Sequence, residues 1–128
     1  MIKSKNKGEK IRVLVVGAGF AGITAAKALS DKLSDLSVDT VDIIIVSDRN
    51  YHLFTPLFYQ IAYGLANPYH VIQPVRSIAA SLGAQFCEAE VKRVDIENKL
   101  VETEKATIPC DFLILALNPM IWYPWCKG

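Results

Sequence analysis

The sequence predicts an α/β fold, a parallel sheet with helices packed on it and a small antiparallel β-meander attached. Three observations carry this. A short β-branched run, Arg12-Val13-Leu14-Val15-Val16, leads into glycines at 17, 19 and 22, and a helical pattern opens at once behind them. Two more continuous apolar runs, Ile43-Ile44-Ile45-Val46 and Phe112-Leu113-Ile114-Leu115-Ala116, have the composition of strands buried on both faces. Between them lie alternating segments broken by polar turns.

The first element is the strand ending at Val16. Its G-x-G-x-x-G turn is Gly17-Ala18-Gly19-Phe20-Ala21-Gly22. This spacing is a weak signal alone and a stronger one between a strand and a helix, where it marks a dinucleotide-binding turn. Gly17 allows a sharp turn off the strand. Gly19 lacks a Cβ and admits a pyrophosphate close to the backbone. Gly22 permits tight packing of helix on strand. The first-turn N–H groups have no partners within the helix, and the positive end of its dipole favours an anion there. A tight strand–helix turn without a ligand is the plainer alternative.

From Phe20 the apolar positions Ile23, Ala26, Leu29, Leu33 and Leu36 recur at helical period, and the pattern stops in the polar stretch from Asp35 to Thr40. Val41 to Val46 is then the second strand, closing a βαβ unit. Asp48 follows it, 26 residues beyond Gly22. An acid there is placed to accept from adenosine ribose hydroxyls, somewhat later than the usual spacing of about 20; a loop-capping role is the alternative. Arg49 either lies against an adenine face or is solvated.

Residues 50–62 are too aromatic for an ordinary surface loop, yet carry Pro56 and no clean period. Such a segment suits the wall of an apolar ligand pocket with a few fixed polar groups. His52 and Thr55 are the polar candidates, although His52 reads more simply as a hydrogen-bonded core histidine. His70 carries no signal. A second helix is expected from Gln73 to Leu82, with Pro74 in its first turn, Val75, Ile78, Ala79 and Leu82 on its apolar face, and Gly83 ending it. Gln85 to Val94 and Leu100 to Ile108 read as antiparallel strands around the turn Glu97-Asn98-Lys99. Residues 112–116 suit the middle of the parallel sheet.

With 128 residues, 52% apolar and a formal charge of +1, the chain suffices for one domain and gives no electrostatic case for nucleic acid. Residues 1–10 read as a frayed basic arm, 11–117 as the domain and 118–128 as a divergent tail. No apolar run approaches the roughly 20 residues that span a bilayer, and the start has no signal-peptide pattern. Cys87, Cys110 and Cys126 lack the paired spacing of a zinc or redox motif, so no metal site is expected. They read as two buried apolar residues and one tail thiol, and their odd number suits a reducing cytosol.

The chain resembles the N-terminal portion of two-dinucleotide flavoproteins, most closely type II NADH dehydrogenases. Val13 to Gly22 is shared with many Rossmann proteins. Asp48-Arg49-Asn50-Tyr51-His52-Leu53-Phe54-Thr55-Pro56-Leu57-Phe58-Tyr59-Gln60-Ile61-Ala62 is similar to the family's D-R-x-N-Y-H-x-F-x-P-L-L-Y-Q-V-A block and is far more specific. Cys110-Asp111-Phe112-Leu113-Ile114-Leu115-Ala116 is similar to its Y-D-Y-L-V-L-A-T-G strand. The resemblance implies a Rossmann-like FAD-binding domain. Gly17, Gly19, Phe20, Ala21 and Gly22 would hold the pyrophosphate and Asp48 the ribose. Arg49 and the Val91 backbone would flank adenine, with Thr55 and Pro56 near the isoalloxazine. No catalytic residue is assigned. In the family NADH passes hydride to FAD and a quinone takes the electrons, which implies a cytoplasmic protein touching the inner face of the cell membrane.

After Ala116 the family has Thr-Gly, whereas this chain has Leu117-Asn118 and then Pro119-Met120-Ile121-Trp122-Tyr123-Pro124-Trp125-Cys126. Asn118 tolerates a left-handed backbone and is a partial substitute for that glycine. The expectation is therefore a truncated or frameshifted product that lacks the NADH-binding domain, the quinone segments and the amphipathic membrane helices. Its aromatic tail suits a partner surface, lipid headgroups or an out-of-frame sequence. Alone it should bind FAD weakly or not at all and oxidise NADH negligibly. The alternatives are a non-catalytic dinucleotide-binding module or inert fragment, a sulfide:quinone reductase, for which the cysteines are poorly placed, and a glycine turn that holds NAD itself.

Overall fold

The computed structural model describes residues 10–65 and 67–117. The basic arm, apart from Lys10, and the tail with Asn118, Trp122, Tyr123, Trp125 and Cys126 lie outside them, as does the His70 side chain.

Four strands form a parallel sheet. β1 (Ile11–Val16) pairs with β2 (Val41–Ser47) from Ile11↔Val41 to Val16↔Val46. The connection between them is α1 (Phe20–Asp35). The expected βαβ unit is thus present, with its boundaries shifted by a residue.

The remaining elements follow in chain order. β3 (His52–Leu53) is a two-residue strand, followed by a 3-10 turn (Thr55–Leu57) and the short helix α2 (Phe58–Ala62). A second 3-10 turn (Pro68–Val71) leads into β4 (Ile72–Gln73), which pairs with β3. After α3 (Val75–Ser81) come β5 (Gln85–Glu88), β6 (Val91–Asp95), β7 (Leu100–Thr103), β8 (Thr107–Pro109) and β9 (Phe112–Leu115). The parallel sheet has the order β5-β2-β1-β9, and β6-β7-β8 form the antiparallel meander.

Four expectations are corrected. The segment from Gln85 to Val94 is two strands in two sheets: β5 lies parallel to β2, and β6 opens the meander. Buried Ala89 separates them, its N–H donating to the Ser47 carbonyl at 2.9 Å. Likewise Leu100 to Ile108 is a hairpin, folded where the Thr103 N–H reaches the Ala106 carbonyl at 2.9 Å. Gln73 lies in β4 and Pro74 caps the helix, which begins at Val75, because the backbone of Gln73 pairs with His52. β9 is an edge strand among the described residues, with Phe112 63% and Leu115 54% exposed.

The core has two layers because strand side chains alternate between faces. On one face Val15, Ile43 and Ile45 pack with Ala26 of α1 and with Val75 and Ala79 of α3. On the other, Leu14, Val16 and Val46 pack with Val101 of the meander and Cys110. Both faces of the central strands are covered, which accounts for their unbroken apolar runs. Cys110 is buried as expected, whereas Cys87 on β5 is only partly so.

Candidate dinucleotide site

The glycine turn sits where β1 hands over to α1. The Gly17 N–H donates to the Val46 carbonyl at 2.8 Å, so the last hydrogen bond of the parallel pair lies within the turn. Gly17 has φ +106°, where side chains are strained. A Cβ there would overlap the Ala116 carbonyl oxygen and lie 2.8 Å from its carbon. At Gly22 a Cβ would overlap the Gly17 carbonyl oxygen and stand 3.4 Å from the Ala116 Cβ. These two glycines are therefore required by protein packing.

Gly19 differs. A Cβ built on it meets nothing within 4 Å, and its φ of −77° is one that any residue adopts. It caps α1 without a side-chain hydrogen bond, and no acidic residue lies in the first turn. The N–H groups at the start of this 16-residue helix thus border open space beside a residue with no side chain. This cradle fits the diphosphate of a dinucleotide.

The other candidates gather at the same edge of the sheet. Asp48 and Arg49 follow β2, whose Val46 pairs with Val16 at the end of β1. Both side chains are more than half exposed and lie 3.5 Å apart, Nε to Oδ2. The Arg49 guanidinium stands 5.9 Å from the Tyr51 ring centroid, so one face of this cation is already against an aromatic ring. Val91 begins β6 beside a register shift in its pairing with β7, just after Ala89 bonds to Ser47. Phe20 opens α1, and its ring meets Phe54 edge-on at 5.5 Å; Thr55 and Pro56 follow in an exposed 3-10 turn.

Four contacts escaped the sequence reading. His52 Nδ1 lies 3.1 Å from the Ala18 carbonyl oxygen, inside the glycine turn, and Phe20 meets the same imidazole at 4.8 Å and 81°. The expectation of a hydrogen-bonded histidine holds, on a half-buried ring. The Asn50 carboxamide oxygen accepts from the Arg76 N–H at 3.0 Å and so caps α3. Asp111 Oδ2 accepts from the Arg12 N–H at 2.7 Å. None had a local signal: asparagine favours the position just before a helix, and Asn50 lies 26 residues before Arg76.

Of the described cysteines, Cys87 packs against the layer beneath the meander and Cys110 is buried in it. Burial, aided by the Asp111 carboxylate, pushes the Cys110 thiol above its ordinary range and keeps it protonated and inert at neutral pH. No cluster of metal-ligating side chains occurs among the described residues, and none of their helices is long and apolar enough to cross a membrane.

A strand, a glycine turn and an uncapped helix in this arrangement define a Rossmann-like dinucleotide-binding domain. Residues 11–117 match the model of the pyridine nucleotide-disulphide oxidoreductases, and the chain belongs to that family. It is 31% identical to the type II NADH:quinone oxidoreductase of Staphylococcus haemolyticus over 110 residues, which take in 86% of this chain and 27% of that protein. Similarity extends to the mitochondrial external alternative NAD(P)H-ubiquinone oxidoreductase B1 of Solanum tuberosum, 27% identical over 93% of this chain and 22% of the relative. Among solved structures, the sulfide:quinone oxidoreductase of Aquifex aeolicus superposes with a TM-score of 0.71 at 26% identity, over 82% of this chain and 24% of that one. NDH2 from Plasmodium falciparum, in complex with NADH, shares the fold with a TM-score of 0.67 at 20% identity, over 84% and 22% of the two chains. The chain spans about a quarter of the length of the relatives it matches.

Proposed function

We propose that this chain is the FAD-binding portion of an NADH:quinone oxidoreductase. The observation that carries the reading is the open backbone at Gly19, set at the uncapped N-terminus of α1 and on the same sheet edge as Asp48. Gly19 and the N–H groups of Phe20, Ala21 and Gly22 would hold the diphosphate. Asp48 would accept from the ribose, while Arg49 and the Val91 backbone would flank the adenine. Thr55 and Pro56, tied to the turn through Phe54 and Phe20, would lie toward the flavin ring. FAD, when bound, supplies the redox chemistry, and the protein positions it and excludes water.

FAD is favoured over NAD by the place of the motif, ahead of the meander and of β9. NADH and quinone would be the substrates of the longer protein, with contact at a membrane surface. Hydride transfer needs the two reacting rings within about 3.5 Å, and these residues offer one dinucleotide turn, so the chain alone is expected to oxidise NADH negligibly. The place of Cys87 on β5 and the burial of Cys110 weigh against a sulfide-oxidising role.

Titration of the labelled chain with FAD, followed through its backbone amides, tests the reading even where binding is weak. Saturable shifts confined to residues 17–22, 48–49, 55 and 91 are expected. Shifts scattered over the surface, or none at the glycine turn, would overturn it.

A further inference from the structure

The His52 ring spans two parts of the fold. Its backbone belongs to β3, where it pairs with Gln73, and its Nδ1 reaches the Ala18 carbonyl at 3.1 Å. A carbonyl oxygen only accepts, so Nδ1 carries the proton and the neutral ring keeps its lone pair on Nε2. The edge contact with Phe20 at 4.8 Å holds the ring plane.

The Ala18 side chain is buried in the core with Val15 and Ala26, so its methyl group faces protein. Gly17 precedes it at φ +106° and Gly19 follows it with open space where a side chain would be. On its Gly19 side the Ala18–Gly19 peptide therefore meets little steric restraint. That peptide is trans, so its C=O and N–H point in opposite directions. Whatever fixes the Ala18 carbonyl also fixes the Gly19 N–H.

We propose that His52 is a positioning residue of the glycine turn: by holding the Ala18 carbonyl it turns the Gly19 N–H to the opposite side, where a diphosphate is met. The inference rests on the reading of this turn as a diphosphate site. His52 thus touches no ligand and acts through one peptide plane. Fixing that plane before the ligand arrives removes an ordering cost from binding.

Three variants of the full chain test it: His52→Ala, His52→Asn and His52→Gln. The asparagine amide nitrogen sits at the same number of bonds from Cβ as Nδ1, whereas the glutamine amide nitrogen corresponds to Nε2. The readouts are the Gly19 amide resonance without nucleotide and the midpoint of an FAD titration. In His52→Ala the Gly19 resonance should move or broaden, and the midpoint should rise about tenfold, roughly 1.4 kcal/mol. His52→Asn should restore both and His52→Gln neither. An unchanged Gly19 resonance and midpoint in His52→Ala, or equal rescue by Asn and Gln, would overturn the proposal. Should the unsubstituted chain show no FAD shifts, the diphosphate reading fails, while the Gly19 resonance still decides what His52 does. Should His52→Ala unfold, the Asn and Gln variants decide between positioning and simple packing.

Discussion

The Cα of Gly22 lies so close to the Gly17 carbonyl oxygen that a methyl group at Gly22 would overlap it. The third glycine of the motif is thus held by the first, through backbone and not through a ligand. Gly22→Ala should cost on the order of 3 kcal/mol, since neither the helix start nor the turn can move without disturbing Ala116. Gly19→Ala should change stability by less than about 1 kcal/mol, because its φ is ordinary and the space is open. FAD-induced shifts should nonetheless weaken in Gly19→Ala. Urea unfolding of both variants, with an FAD titration of the second, checks the contrast. Equal destabilisation would refute it.

Asp111 and Arg12 exchange two hydrogen bonds across the end of β9. The Asp111 N–H donates to the Arg12 carbonyl at 2.8 Å, and the Asp111 carboxylate accepts from the Arg12 N–H. Asp111→Ala should cost about 1–3 kcal/mol by removing the acceptor of a partly buried backbone N–H. Asp111→Asn, which keeps a carboxamide oxygen, should cost less. Amide exchange along residues 112–115 should accelerate in the alanine variant, and unaltered exchange would show that this carboxylate does not fix the strand.

Cys110 should react slowly with alkylating reagents in the folded chain, at a rate set by opening of the structure. Its thiol is pushed above the ordinary 9.0, first by burial. The folded state thus holds the proton more tightly than the unfolded state, so stability should fall as pH rises through 9 and beyond. Peptide mapping after timed alkylation at neutral pH should find Cys87 modified before Cys110. The reverse order would contradict the burial.

Asp95 closes the turn after β6 by accepting from the Asn98 N–H at 3.0 Å and from the Asn98 side-chain amide at 2.8 Å. These bonds hold its carboxyl below the ordinary 3.8, the side-chain bond contributing most. Its stabilising effect should therefore be complete above that value and be lost as pH falls through the lowered folded-state value. A carboxyl-carbon NMR titration should place the midpoint below 3.8 in the native chain and shift it upward in Asn98→Ala. A midpoint at or above 3.8 would rule the turn bonds out as the cause.

Some of this architecture was legible in the sequence because its causes are local. Glycine at 17 answers a positive φ, the β-branched runs answer burial on both faces, and residues 20–35 follow the period of one helix face. The split of residues 85–94 between two sheets was not legible. β5 and β6 follow one another with only Ala89 and Glu90 between them, and it is the pairing of Gln85–Glu88 with β2 that separates them. The candidate edge was readable in its glycines and Asp48, whereas the bond from His52 to Ala18 spans 34 residues and has no counterpart in spacing.

The sequence by itself determined the strand–turn–helix–strand unit and the residue types at its candidate edge, since backbone angles and side-chain periodicity act over a few residues. Only the tertiary structure decided which glycine faces protein and which faces open space, where β9 lies in the sheet, and what holds the turn. Those outcomes depend on contacts between segments far apart in the chain, and such contacts are set by packing.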